Sequence, residues 1–272
     1  MGHSKIACST AIGCNSPLET ALADIQSLGF QYVDLLVIDG WVHVNTRGLV
    51  QDFEGEKNKL DRLFAQYALT PLYLNTGVSQ QLHQRSSVDN AQRRLEIDGL
   101  IRLMRAYDIH VAAIQPRNND PSRLWEAVLQ DSAATLKEQV ETGRAAGVTF
   151  ALELHSNSPF ESLAQARRLL EVFPDVPLVY DPSHYVMQGI DLTETYFVME
   201  RACHVHLRDA ALHQMQAPFG RGQIDFDRLL NALLDQDYQG GFSIEYLEQE
   251  QAGLNILDDV ARMRDKIKQY FP

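Results

Sequence analysis

Three features of the sequence predict an α/β protein of the (β/α)8 barrel class. Strand-like and helix-like patterns alternate eight times along the chain. The 272 residues suit the ~250 that such a barrel uses. Four strand-like stretches in the second half end in polar residues, and a parallel barrel gathers the C-terminal ends of its strands on one face.

Residues 6–9 read as the first strand, and Ser16-Pro17 supplies an N-cap and first-turn proline for a helix over 18–28 that Gly29 ends. Residues 32–38 form the second strand, followed by a helical pattern through Lys59, Leu60, Leu63 and Phe64. The third strand covers 71–75 and the fourth 111–115, with a helix over 87–107 between them that carries Leu95, Leu100, Leu103 and Met104. A long helical region over 121–146, broken once, stops at Gly147. Strands over 150–154, 178–181, 204–207 and 242–246 then alternate with helices over 162–172, 192–201, 226–234 and 257–270. The charge runs at 54–59 and 92–96 read as solvated helix faces. No linker, repeat or low-complexity tract divides the chain, so residues 1–272 form one domain. A doubly wound sheet is the structural alternative, but the turn from Thr10 to Ser16 lacks the glycine spacing that draws a dinucleotide.

Composition narrows the partners. With 45% apolar and 22% charged residues the chain can bury a sizeable core, and its formal net charge of −12 argues against nucleic acid or an anionic membrane as the main partner. A small molecule fits better. Cys8, Cys14 and Cys203 form no zinc-binding spacing and predict free thiols in a reducing compartment. No apolar run approaches the ~20 residues of a membrane span, and no signal-like segment opens the chain, so a cytoplasmic location is expected.

The chemistry concentrates on the strand around Cys203-His204-Val205-His206-Leu207-Arg208. Alternation puts His204, His206 and Arg208 on one face and Cys203, Val205 and Leu207 on the other. Two imidazoles and a guanidinium on one face need carboxylates, a metal or a ligand. Glu153, Asp181 and Glu245 end three further strands with matching parity, sharing faces with Ala151, Val179 and Ser243, while Leu152, Tyr180, Leu207 and Ile244 face outward. Two glutamates, an aspartate and a histidine are mostly hard oxygen donors and suit one divalent ion: Mn, Mg or Co, with Zn less distinctively. His204 lies deeper and reads as a supporting histidine. His155 is divided evenly between pocket wall and structural role, whereas His43, His83, His110 and His213 read as surface or loop residues. Trp41 is a candidate substrate cover or a packing residue. Arg221, between two glycines, reads equally as an anion contact or a solvated turn residue.

Glu153 in ALELH, Asp181 with His184 in DPSH, His206 in HVHLRDA, the run from Gly220 to Phe226 and Glu245 in FSIEY resemble the xylose isomerase-like TIM-barrel superfamily, the sugar phosphate isomerase/epimerase group. The resemblance covers the C-terminal half, with the N-terminal half matching in its βα rhythm. It implies Glu153, Asp181, His206 and Glu245 as metal ligands, Glu153 and Glu245 as acid/base residues on opposite faces of a small sugar or keto-polyol, and His184 and Arg208 as substrate contacts. The implied reaction is isomerisation or epimerisation through an enediolate stabilised by the cation. Pro159 and Leu212 stand where 3-epimerases carry an acidic residue and an arginine, which keeps inosose or dehydroshikimate dehydration as the alternative. Endonuclease IV resembles the chain too, but its three-zinc cluster needs further histidines on early strands and a late Asp-x-His, where this chain has Tyr73-Leu74-Asn75, Ile114-Gln115 and Asp209-Ala210-Ala211. A non-catalytic sugar-binding barrel would not need a complete ligand set. The resemblance leaves a homo-oligomer open.

Overall fold

Eight parallel strands pair in sequence order and close on themselves, β8 meeting β1, in the computed structural model, which describes residues 5–40, 43–249 and 253–272. They are β1 (Ile6–Ser9), β2 (Tyr32–Ile38), β3 (Thr70–Gly77), β4 (Val111–Ile114), β5 (Thr149–Glu153), β6 (Leu178–Tyr180), β7 (Ala202–Leu207) and β8 (Gly241–Ile244). The helices are α1 (Leu18–Ser27), α2 (Thr46–Gln51), α3 (Phe53–Tyr67), α4 (Ser87–Ala106), α5 (Trp125–Ala146), α6 (Leu163–Val172), α7 (Ser183–Val186), α8 (Tyr196–Met199), α9 (Phe226–Asp235) and α10 (Ile256–Lys268). No helix among the described residues is long and apolar enough to cross a membrane. The three cysteines are free thiols, as expected.

Parity sets the layers. Leu152, Tyr180, Leu207 and Ile244 face outward into one core with Leu100, Met104, Leu129 and Leu229 of the surrounding helices, each fully buried aliphatic side chain contributing about 1.5–3 kcal/mol. Inward-facing Ala113, Ala151 and Val179 form a separate small-residue layer. Tyr73 lies against Gly241 across the barrel, where any Cβ would collide with its ring and hydroxyl.

Several local expectations change. The helical region after β4 is not broken: residues 121–123 form a turn, and α5 then runs uninterrupted for 22 residues to Gly147, whose φ of 80° takes the left-handed cap. After β2, Asp52 ends α2 with an extended φ of −148° and caps α3 by accepting from Gly55 N–H. The predicted helix at 192–201 shrinks to a 3-10 turn (Leu192–Thr195) and α8, with Thr195 tied to the Tyr180 hydroxyl at 2.7 Å. Cys203 departs from the alternation because the pairing of β6 with β7 skips it, so it packs against the inner layer instead of facing outward. The run at 92–96 is not a solvated face either, since Glu96 is 0% and Arg93 4% exposed. His43 is buried, with Nε2 2.9 Å from the Gly13 carbonyl, and His83 is buried beside Asp120. His110 and His213 are exposed, as expected.

Candidate metal centre at the C-terminal ends of the strands

The last residue of β5, Glu153, meets Asp181 just beyond β6, His206 near the end of β7 and Glu245 just beyond β8. One ligand atom from each lies within 4.8 Å of the others, and all four residues are buried. Parallel pairing makes this unavoidable. His206 is in register with Ser243, and Glu153 with Val179, so equivalent strand positions end at the same level.

His206 sits at the centre. Its Nδ1 is 2.9 Å from Glu153 Oε1 and 3.3 Å from Glu245 Oε2, while Nε2 faces Asp34 Oδ2 of β2 at 3.4 Å. Burial opposes a charge on this ring, but Glu153 and Glu245 outweigh it and raise its pKa well above the ordinary histidine value. The same contact holds the Glu153 carboxyl below the usual range against the cost of its burial. Asp181 is pushed up by burial, with Arg208 opposing. Asn75 Nδ2 donates to Glu245 Oε1 at 2.7 Å, which leaves Glu245 Oε2 buried without a hydrogen-bond donor.

Arg208 is 2% exposed and committed to protein partners: Nε donates to Ser183 Oγ, Nη1 to the Glu245 carbonyl, and Nη2 to Asp181 Oδ2 at 2.7 Å. It clamps two carboxylates in place. Ser183 N–H donates to Asp181 Oδ1, starting the short helix that carries His184 into the cluster. His184 Nε2 lies 3.2 Å from Arg208 Nη2, its Nδ1 3.2 Å from Ser156 Oγ, and its ring stacks on His155 at 3.8 Å. Burial first, then His155 and Arg208, lower its pKa well below the ordinary value, so the ring is neutral.

The donor set fits a divalent cation. Asp34, Glu153, Asp181 and Glu245 bring four buried negative charges against Arg208 and a protonated His206, a surplus of two negative charges that no other described residue offsets. Two other triplets approach as closely, Asp34 with His204 and His206, and Glu153 with His155 and His184. The first shares His206, and the second has the Arg208 guanidinium against His184, so the four-residue set is the better cradle for a cation.

Of the residues anticipated from sequence, Glu153, Asp181, His184, His206, Arg208 and Glu245 therefore converge. Arg221 does not join them, being exposed on the turn after Gly220. That turn wraps the Asp209 carboxylate, which accepts from Gly220 and Gly222 N–H. Trp41 lies outside the described residues. His204 supports from below, with Nε2 2.8 Å from Ser243 Oγ and 3.9 Å from Asp34. Sequence reasoning passed over Asp34 and Asn75. A lone carboxylate in the apolar strand Val33-Asp34-Leu35-Leu36-Val37 was the available signal, since a buried charge demands a partner.

Comparison with solved structures returns whole-length likenesses. An IolI protein with a bound zinc atom aligns at TM-score 0.74 and 20% identity, covering 98% of this chain and 99% of that one. D-psicose 3-epimerase with D-tagatose from Clostridium cellulolyticum H10 aligns at TM-score 0.74 and 15% identity, with 98% and 99% covered. The 3-keto-D-glucoside 4-epimerase YcjR of E. coli aligns at TM-score 0.71 and 17% identity, with 96% and 99% covered. At these identities the likeness is one of fold. No curated protein matches the chain. The xylose isomerase-like TIM barrel family model matches residues 22–266, a span that takes in seven of the eight strands and all four residues of the cluster; the chain belongs to that family.

Proposed function

We propose that the protein is a divalent-metal-dependent isomerase or epimerase of a small sugar, sugar phosphate or keto-polyol. The observation that carries this reading is the pair of buried glutamates on either side of His206 Nδ1, Glu153 at 2.9 Å and Glu245 at 3.3 Å, the latter through an oxygen that makes no hydrogen bond. Glu153, Asp181, His206 and Glu245 would hold the cation. When bound, it polarises the substrate carbonyl and acidifies the neighbouring carbon. Glu245, oriented by Asn75, takes the proton from that carbon, and Glu153 returns one from the opposite side. Neutral His184 orients a substrate oxygen, and Arg208 keeps Asp181 and Glu245 in position. The sugar epimerases and the zinc-containing IolI protein among the structural likenesses support this reading.

Dehydration is the second reading, favoured by two observations. The acidic side chain expected at 159 is replaced by Pro159, whose carbonyl is taken by Trp125 Nε1, and Leu212 is 48% exposed. In that reaction Glu245 removes the proton beside the carbonyl, and the β-hydroxyl takes a proton from the carboxyl so formed and leaves as water.

The test is metal content of the wild type beside Glu245→Gln, followed by solvent deuterium exchange into ketoses, inososes and hydroxypyruvate. Metal binding weakened in the variant, with exchange into one substrate class, is expected. A wild type that takes up no divalent ion overturns the proposal.

A further inference from the structure

Next to the four-residue cluster lies a cleft of about 290 Å³ lined by Gln115, Arg117, Asn118, His155, Ser156 and Asn157. It is contiguous with the centre, because His155 stacks on His184 and brings a ring nitrogen within 4.8 Å of a Glu153 oxygen. In a chain of net charge −12 this lining contains no carboxylate. Of the carboxylates beside it, Glu153 belongs to the centre, Glu161 accepts from Asn157 N–H, and Asp120 accepts from Ser122 and faces His83.

Arg117 is the cleft's one full cation, and among the described residues its guanidinium makes no hydrogen bond or ion pair. It is half-buried against Gly77 at the end of β3, at the mouth of the barrel. Its backbone is left-handed, with φ of 61°, a conformation that costs a non-glycine residue energy and persists only where the surroundings hold it. They do: Gln115 N–H donates to the Thr76 carbonyl, Asn118 N–H to Gln81 Oε1, and Asn119 N–H to the carbonyl of Asn157, itself at φ 61°. A strained loop thus presents an unpaired guanidinium and several neutral donors beside a cluster of carboxylates.

We infer that this cleft is a subsite for an anionic group, phosphate or carboxylate, carried by the substrate whose carbonyl end meets the metal centre. The inference rests on the proposed isomerase or epimerase reading and narrows its substrate to charged sugars. A guanidinium recognises such a group through paired charge-assisted hydrogen bonds. It also offsets the repulsion an anion would meet from Glu153 and its neighbours.

The experiment is calorimetric titration of the manganese-supplemented protein with D-fructose 6-phosphate, D-fructuronate and D-fructose, which share a six-carbon ketose frame, with solvent deuterium exchange followed in the same samples. One anionic probe is expected to bind the wild type at least about ten-fold more tightly than D-fructose, and which one does so distinguishes phosphate from carboxylate. In Arg117→Gln that ratio should fall toward one. Arg117→Gly should lose it as well with a Tm no lower than wild type, because glycine accepts the left-handed backbone, which separates lost recognition from misfolding. Equal affinities in the wild type, a ratio indifferent to Arg117→Gln, or no binding of either anionic probe overturns the inference. Anion preference without deuterium exchange would leave the subsite standing and sink the proton-transfer reading; exchange into D-fructose without anion preference would do the reverse.

Discussion

Two of the carboxylate sites buried in this barrel are built on opposite terms. Glu96 of α4 is 0% exposed and satisfied: Oε2 accepts from Thr46 Oγ1 at 2.6 Å and Ser79 N–H at 2.8 Å, Oε1 from Ser79 Oγ and from Gln92 Nε2 at 3.0 Å. At the barrel mouth, Glu153, Asp181 and Glu245 crowd around one imidazole and one guanidinium, and Glu245 Oε2, 3.3 Å from both His206 Nδ1 and Arg208 Nη1, makes no hydrogen bond. The first arrangement needs nothing more. The second is stable in proportion to the positive charge that something else brings, which is the physical mark of a binding site.

Glu245→Gln breaks this contrast most sharply. Removing one surplus charge should cut deuterium exchange about 10²–10⁴-fold, the usual worth of a positioned acid or base. The metal-free Tm should hold or rise, since repulsion within the cluster falls. A large drop in metal-free Tm would mean that Glu245 is a structural residue like Glu96.

Arg208→Met tests the cluster from the other side. Asp181 and Glu245 would lose their guanidinium, at a cost of about 3–5 kcal/mol for a buried charge left unpaired. Thermal melts with and without manganese should show the deficit shrinking as the ion supplies the missing charge. An equal deficit in both would separate the cluster from cation binding.

Much of this was legible in the sequence, for a definable reason. Strand alternation is a local property, so Glu153, Asp181, His206 and Glu245 could be assigned to one face, and a parallel barrel brings strand ends together whatever the loops do. The charge on Glu96 was misread because a helix face is solvated or buried according to what packs on it, and Thr46 and Ser79 arrive from α2 and the end of β3. Asp34 was missed because its meaning lies across the barrel, at His206, 172 positions along the chain. The bulge at Cys203 and the left-handed turn at Arg117 likewise depend on register and loop packing, which no short spacing encodes.

Asp34 offers a smaller test of the same comparison. Its carboxylate, 3.4 Å from His206 Nε2, would hold the ring proton on Nε2 once the Nδ1 proton gives way to a bound cation. Asp34→Asn should weaken divalent-ion affinity about 10–100-fold by calorimetry. Unchanged affinity would make Asp34 a filler of the barrel interior.

The smallest effect belongs to Glu96→Gln, which should not touch ion affinity at all. The glutamine keeps one acceptor oxygen and turns an NH2 toward groups that donate, so part of the Thr46, Ser79 and Gln92 set is left unsatisfied, at about 1–2 kcal/mol. Burial would raise the Glu96 pKa, but the hydrogen bonds from Ser79, Thr46 and Gln92 prevail and lower it. A carboxyl depressed in the folded state contributes stability that is present above its unfolded value of about 4.3 and is lost as pH falls through the folded value. Denaturant melts of the wild type and Glu96→Gln should therefore stand furthest apart near neutral pH and converge in acid. A gap that stays constant with pH would assign the loss to shape alone and remove the charge from the account of this site.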